Sequence, residues 1–504
     1  MDSPDVAARV GKGTPPSART VAPAVRRRIV GAMLVSTFMV AAEVTVISTA
    51  MPTIVARLGG FDLFTWVFGV YLLGQAVTTP IYGRLADLYG HRVVYLASAS
   101  LFLVASLLCG LAWSMPSLIA FRALQGLGGG GLMPLATTII SDVSPPSERP
   151  RLFGYVSGIW GIAAILGPLI GSLCVSTVGW PFVFWINLPI GVITIALVMR
   201  NLPRQTAMRG KDRIDAVGSG LMAVGVGTAM AALIQWDTLS AGAVAILCTV
   251  AIVFLAAFAV RERKAPQPML PAHLLRSPVI VAANASAVLC GGLMIETSAF
   301  IPTWVQGVEG RGALAAGFVV GLMTVSWTAT SMSLGRLLGR LSIRTVAFVA
   351  ALAVVAGSAG LLGLSSWGWP LLLMSCVPIG AGLGATSLIF IVAVQGAAAQ
   401  EDRGRATSLF YFSRLIGQAV GAAAFGGVMN AGLSAGGPEM HGALRALMDP
   451  VSRGLLPAEE LAQRVAALDG ALFQVFAFGL AIATLLIAVA WIVPGRRDRK
   501  SSPS

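Results

Sequence analysis

The chain has 504 residues, of which 56% are hydrophobic and only 11% are charged. Soluble proteins carry about 25% charged residues, so this composition excludes an ordinary soluble protein and fits a chain surrounded by lipid. The net charge of +14 is compatible with a nucleic-acid partner or with a preferred membrane orientation, and its distribution along the chain distinguishes the two.

Apolar runs long enough to cross a bilayer follow one another along most of the chain. A bilayer core needs about 20 mostly apolar residues per helix. Backbone in lipid must satisfy its own hydrogen bonds, so these runs predict helices rather than open strands. The fourteen runs are 29–51, 64–82, 93–112, 115–142, 152–177, 182–201, 215–235, 240–260, 279–305, 313–335, 345–365, 369–396, 406–431 and 470–493. The sequence therefore predicts an all-α polytopic membrane protein.

The basic residues are distributed unevenly between the two sides of the predicted membrane. Most of the 35 Lys and Arg residues share one side with both termini. The exceptions are Arg57, Arg311, Arg445, Arg453 and Arg464 in the opposite loops, and Arg122 and Arg414 inside helices. This asymmetry follows the positive-inside rule. It places both termini in the cytoplasm and needs no nucleic-acid partner, and the compact loops suggest a bacterial inner membrane.

The chain ends and the reactive residue types indicate no further site. Residues 1–28 are polar, end in three arginines and predict a disordered cytoplasmic tail, as do residues 494–504. The five cysteines lie singly in apolar runs and the three histidines (His91, His273 and His441) lie apart in loops, so neither a disulfide nor a metal site is indicated. No Walker pattern occurs, and we expect neither a cofactor nor enzymatic activity.

One motif occurs twice, which indicates an internal duplication. The link after the second run reads GRLADLYGHR (Gly83–Arg92), and the link after the tenth reads GRLLGRLSIR (Gly335–Arg344). The same offset carries Glu43 to Ile295, the neighbour of Glu296. Secondary transporters are built from such duplicated halves, with the substrate site between them. The predicted division is an N-terminal six-helix bundle (29–201), a linker with two additional helices (202–278) and a C-terminal six-helix bundle (279–493).

Several stretches resemble the major facilitator superfamily. GRLADLYGHR resembles its loop between helices 2 and 3, and RALQGLGGG (Arg122–Gly130) resembles its helix 4 signature. GIWGIAAILGPLIGS (Gly158–Ser172) resembles the helix 5 signature of its drug:proton antiporters, which are multidrug exporters. WPFVFWINLPIG (Trp180–Gly191) and the order of six, two and six helices resemble the fourteen-helix branch. The chain departs from the pattern at Glu43, where the branch carries Asp, and at Ser172 and Gly339.

Charged residues inside the predicted helices are the candidate coupling residues. At 1.5 Å per residue, Glu43, Glu296 and Arg122 lie roughly 10–15 Å from the outer ends of their helices. The resemblance implies that helices 1, 4, 9 and 12 line the cavity. Because intramembrane charges are usually functional, we predict proton-coupling or substrate-binding roles for these three residues, with Gln125 as a hydrogen-bonding neighbour. Alternatively, Glu43 and Arg122 form a static ion pair, Glu296 contacts a cationic substrate, and Arg414 serves packing or capping.

The first copy of the repeated link is a candidate cytoplasmic gate. Gly83 and Gly90 allow close approach, and Asp87 is suited to capping a helix N-terminus. Arg84 and Arg92 are suited to bridging neighbouring cytoplasmic ends. We predict a latch that stabilises the outward-facing state; the alternative is a basic loop that only sets topology.

In helix 5, Gly158, Gly167, Pro168 and Gly171 remove side-chain bulk and one backbone donor. Small residues let helices pack closely and proline bends a helix. We predict a bent, tightly packed helix that seals the outer end of the cavity, against the alternative of ordinary membrane packing.

Aromatic residues and one long loop complete the candidates. Trp160, Phe300, Trp327 and Tyr411 could line an aromatic pocket or pack in the core. The outer link 432–469 contains LPAEELAQRVAALDG (Leu456–Gly470), whose amphipathic spacing predicts a helix on the membrane surface or over the cavity mouth.

The resulting functional hypothesis is a proton-coupled exporter of lipophilic, cationic compounds that works by alternating access in the lipid bilayer. One alternative is export of a lipid or endogenous metabolite, with the outer link delivering it to an envelope protein. An alternative of a different class is a membrane scaffold or sensor that transports nothing.

Overall fold

The computed structural model describes residues 22–58, 64–203, 216–234, 239–264, 272–337, 342–434, 447 and 453–493. Every regular element within these ranges is a helix. The first half contains α1 (Pro23–Leu58), α2 (Phe64–Tyr89), α3 (His91–Gly110), α4 (Met115–Val143), α5 (Arg149–Thr177), α6 (Phe182–Trp185) and α7 (Asn187–Asn201). The additional pair is α8 (Ala216–Ile234) and α9 (Ala241–Lys264). The second half contains α10 (Ala272–Arg276), α11 (Pro278–Ile295), α12 (Ile301–Thr303), α13 (Ala313–Leu337), α14 (Ile343–Leu361), α15 (Leu364–Ala397), α16 (Arg403–Ser434) and α17 (Ala458–Ile492).

Helix occupies each of the fourteen predicted runs, although the boundaries differ. Among the described residues, nine helices are long and apolar enough to cross a membrane. Helix α8 is shorter, and α2, α4, α5 and α16 are long enough but are not among those nine. The all-helical membrane fold is therefore established, whereas fourteen crossings stay a prediction.

Several boundaries differ from those predicted. Helix α1 begins at Pro23, so the end of the predicted disordered tail is helical. Residues 1–21 of the tail, the terminal residues 494–504 and much of the outer link lie outside the described residues. The amphipathic segment at 456–470 does not form a separate helix, because from Ala458 onwards it is continuous with the last spanning helix. Its apolar residues Leu461, Val465 and Leu468 pack into the core of the second half.

The two halves meet along two seams, one between α2 and α16 and the other between α5 and α13. Glycines allow these close approaches: Gly83 lies against Ser408 in the first seam, and Gly154 lies against the carbonyl of Ser331 in the second. The additional helix α8 packs on α2 and α16 along the first seam. At one end of the bundle α2 ends and α3, α5 and α16 begin. We call this end of the bundle the basic end.

Candidate functional site

Glu43 of α1 lies at the centre of a buried polar network, with 2% of the residue exposed. Arg122 of α4 donates from Nη1 to Oε1 over 2.7 Å. The side-chain amide of Asn187, at the start of α7, donates to Oε2. Both carboxylate oxygens are therefore hydrogen-bonded, and the charge is compensated by a guanidinium.

Arg122 extends the network to neighbouring helices. Its Nε donates to the carbonyl of Val67 over 3.1 Å, and Nη1 also donates to Oε1 of Gln125 over 2.6 Å. The guanidinium carbon lies 4.1 Å from the centroid of the Tyr71 ring. Gln125 donates onward to Ser106 over 2.7 Å. These contacts all stay within the first half, so the network ties α1, α2, α3, α4 and α7 together.

A small cavity adjoins Glu43 between α1, α5, α6 and α7. Apart from Glu43 and Asn187 its walls are apolar, and the lining residues include Phe38, Val46, Ile170 and Ile190. The carboxylate is thus the charged group of an otherwise apolar space inside the first half.

Glu296 lies next to the position in the second half that the repeat offset assigns to Glu43, but it has no such partners among the described residues. It follows α11 directly, begins a π-helical turn (Glu296–Phe300) and is 1% exposed. A Cβ added to Gly479 of α17 would overlap its carboxylate. Among the described residues, Oε1 has no hydrogen-bond partner and the carboxylate has no ion pair. Each acid therefore lies on the first long helix of its half, against the last.

The structure brings only part of the predicted set together. Glu43, Arg122 and Gln125 form one network, whereas Glu296 stands alone in the other half. Asn187 was missed by the sequence reasoning, although an amide among the apolar residues near the start of the run 182–201 was a visible signal.

The predicted gate residue Asp87 pairs with the other half of the molecule. Its Oδ2 accepts from Nε of Arg405, in the first turn of α16, over 3.0 Å. Arg405 also pairs with Asp402 just before that helix. Asp87 thus lies at a helix N-terminus, as its charge would favour, and the helix belongs to the opposite half.

Of the other gate residues, Gly83 lies in the first seam against Ser408, whereas Gly90 and Arg92 lie within the first half. Gly90 separates α2 from α3 with a φ of +86°, which side chains rarely tolerate. Arg92 donates to the carbonyls of Leu202 and Met199 at the end of α7, over 2.9 and 2.6 Å. Arg84 is buried. In the second copy of the link, Gly339 lies outside the described residues.

A second contact between the halves was not predicted. His91, placed in a loop by the sequence reasoning, begins α3, and its Nδ1 lies 2.8 Å from Oδ2 of Asp142 at the end of α4. Nη1 of Arg403 in α16 lies 3.6 Å from the other oxygen of Asp142. The basic end is therefore closed by two charge contacts between the halves.

The predicted residues of helix 5 face different neighbours. Gly158 lies against Met332 of α13, across the seam, whereas Gly167 lies against Thr45 of α1 in its own half. Gly171 is buried, and α5 continues through Pro168 to Thr177 as one helix.

The predicted aromatic pocket is divided. Trp160 and Tyr411 both lie beside Arg414, whose guanidinium carbon is 5.7 and 5.5 Å from the two ring centroids. Phe300 and Trp327 instead pack against the core of the second half.

Comparison with known proteins accounts for this architecture. Residues 33–422 match the Major Facilitator Superfamily. The chain belongs to this superfamily of transporters. Among superfamily members from Bacillus subtilis (strain 168), Multidrug transporter protein MdtP is 33% identical over 413 residues, covering 81% of this chain and 76% of that protein. Multidrug resistance protein 3 is 31% identical over 503 residues, covering 94% and 96%.

Solved structures confirm the superfamily fold. A proton:xylose symporter superposes with a TM-score of 0.63 at 13% identity, covering 94% of this chain and 96% of that one. The human organic anion transporter TETRAN superposes with a TM-score of 0.62 at 14% identity, covering 95% and 100%. At such low identity these matches concern the fold alone.

Proposed function

We propose that this protein is a proton-coupled exporter of lipophilic compounds that works by alternating access. The names of the two Bacillus relatives support export of drug-like compounds. The observation that carries the proton coupling is Glu296, a carboxylate enclosed in the second half without a countercharge among the described residues.

An ionised carboxylate is expensive to bury without a partner, and it is neutralised instead. Glu296 therefore carries a proton in this conformation. Exposure of Glu296 to water in the other conformation would release the proton, since hydration stabilises the charged form. The π-helical turn that begins at Glu296 interrupts the regular α-helix, and such turns are frequent at functional sites.

Glu43 behaves differently because Arg122 compensates its charge. A proton on Glu43 would remove the attraction to Arg122, so protonation and separation of α1 from α4 favour each other. If the pair serves only to hold these helices together, its loss will change stability and leave proton coupling intact. Transport measurements distinguish these two roles.

The closed basic end indicates which side of the membrane this conformation faces. Asp87–Arg405 and Asp142–Arg403 hold the halves together there. With the basic end in the cytoplasm, as the positive-inside rule favours, this conformation faces outward and takes protons from outside. A potential of 100 mV provides about 2.3 kcal/mol for each charge moved.

A preference for cationic substrates, as predicted from the sequence, would require a carboxylate that contacts the substrate directly. The contacts of Glu43 and Glu296 described above all come from their own halves. The cationic preference therefore gains no support from the geometry, and the proposal extends only to lipophilic compounds.

Proteoliposomes with an imposed pH gradient test the proposal, with efflux of a fluorescent lipophilic dye as the readout. We expect Glu296→Gln to abolish efflux driven by the gradient. The matched control is Glu460→Gln, because Glu460 pairs with Arg464 on a partly exposed face of α17. Unchanged gradient-driven efflux in Glu296→Gln would refute coupling through this residue. Loss of coupling in Glu43→Gln, without loss of thermal stability, would argue against a purely static pair.

A further inference from the structure

Arg414 lies on the boundary between the two halves, at mid-depth in the bundle. Trp160 is eleven residues from the start of α5 and Arg414 is eleven residues from the start of α16, roughly 16 Å along each helix. The offset that relates the repeated links carries α5 onto α16, so these are counterpart helices at nearly equivalent positions. A contact between equivalent positions of two related halves lies close to the axis that relates them. In transporters of this plan, substrates bind at that interface near the midplane.

The Arg414 guanidinium has no acceptor among the described residues. None of the described carboxylates lies within ion-pair distance, and its contacts are the faces of the Trp160 and Tyr411 rings. Tyr411 is itself fixed, because its hydroxyl lies 2.9 Å from the hydroxyl of Thr137 in α4. All three members of this group are half-buried rather than fully enclosed.

Other arginines of the chain have acceptors within the protein, as expected for a structural role. Arg453 donates to the backbone carbonyls of Gln306 and Gly307. Arg405 and Arg122 each pair with a carboxylate. A guanidinium at mid-depth that lies beside two aromatic rings and has no acceptor among the described residues differs from all of these.

We propose that Arg414, Trp160 and Tyr411 form a binding site for the acidic group of an aromatic organic anion, a carboxylate or sulfonate. A guanidinium matches such a group with two parallel hydrogen bonds. The two rings would hold the attached aromatic system by stacking. This inference rests on the proposed export function and names its substrate class, which differs from the cation expected from the sequence.

Two probes with the same fluorophore and opposite charge test the proposal. Dansylglycine is an anion and dansylcadaverine is a cation, and binding of each to the purified protein in detergent is measured by fluorescence anisotropy. We expect the wild-type protein to prefer dansylglycine, and we expect Arg414→Gln to weaken dansylglycine binding about tenfold or more. Binding of dansylcadaverine should stay unchanged or improve. Trp160→Leu should weaken both probes, since stacking does not depend on charge.

Arg344→Gln is the matched control. Arg344 also lies over an indole, 4.6 Å from the centroid of Trp491, but on α14 and α17 away from the seams. The substitution Arg344→Gln removes the same charge and should leave the affinities for both probes unchanged.

Equal binding of the two probes to the wild-type protein, or a preference for the cation, would overturn the proposal without any variant. An equal loss of both probes in Arg414→Gln would overturn it too, because the arginine would then only shape the site. Binding is measured without a gradient, so this result is independent of proton coupling. Anion-selective binding combined with gradient-independent transport would refute the proposed function alone.

Discussion

Asp87 of α2 and Arg405 of α16 form an ion pair across the boundary between the two halves, with 3.0 Å between Oδ2 and Nε. Their side chains are 4% and 13% exposed, so water competes little for the pair. We propose that the pair forms only while the basic end is closed, so that it would stabilise one conformation of the transporter relative to the other.

Removing the negative charge of Asp87 should shift the equilibrium between the closed and open states of the basic end. A hydrogen bond to a charged group is worth about 1.5–3 kcal/mol, so Asp87→Asn should open the basic end at least tenfold more often. Alkylation of a cysteine introduced at Ser331, which is fully buried in the second seam, reports the opening. Glu148→Gln is the control, because Glu148 pairs with Arg26 within the first half. If exchanging the charges at 87 and 405 fails to slow alkylation again, the pair is not the latch.

The Glu43–Arg122 pair should couple strongly in a double-mutant cycle. Arg122→Gln leaves a buried carboxylate uncompensated, which costs about 3–5 kcal/mol of stability. The double variant Glu43→Gln with Arg122→Gln should be much less destabilised, since a neutral amide replaces the stranded charge. Thermal unfolding in detergent measures both. Equal destabilisation of the single and double variants would mean that Glu43 is not held as an anion.

Gly479→Ala should perturb the Glu296 site selectively. The new Cβ would overlap the carboxylate, so either Glu296 or α17 must move. We expect a shifted pH dependence of transport, measured in proteoliposomes over a range of internal pH. Gly470→Ala on the same helix is the control, because a Cβ there meets open space. If the two variants had identical pH profiles, the contact between Gly479 and Glu296 would have no influence on proton binding.

The two glycines of the helix 5 signature should differ in their tolerance of alanine. At position 158 the nearest atom to a new Cβ is Sδ of Met332, at 3.1 Å, which belongs to a flexible side chain and can move. At position 167 the Cβ would overlap the hydroxyl of Thr45, which donates to the carbonyl of Ala163 over 3.2 Å. We therefore expect Gly167→Ala to lose about 1–3 kcal/mol of stability through overpacking and Gly158→Ala to lose less. The reverse order in thermal unfolding would contradict this packing.

Some residues of the candidate site carry a strong local signal in the sequence. Glu43, Arg122 and Glu296 stand out because a charge inside an apolar run is costly, and Asp87 stands out within a repeated link. Asn187 has a weaker signal because a single amide in such a run often serves packing. Arg403 and Arg405 have none, since basic residues at a cytoplasmic helix start are expected from topology alone.

The amphipathic segment at 456–470 shows why a local pattern can mislead. Its spacing fits a helix lying on a membrane surface equally well as the start of a helix packed on protein. Packing of Leu461, Val465 and Leu468 against the second half decided the question.

The membrane environment and the helical class follow from the amino-acid sequence, because composition and run length are properties of the chain alone, and the superfamily was indicated by the resemblance of its motifs. Which polar groups meet is settled by the three-dimensional arrangement of the helices. Asn187 reaches Glu43 across 144 residues, and Arg405 reaches Asp87 across 318. Such pairings depend on how each helix is rotated and placed against its neighbours, and that is set by the packing of the whole bundle.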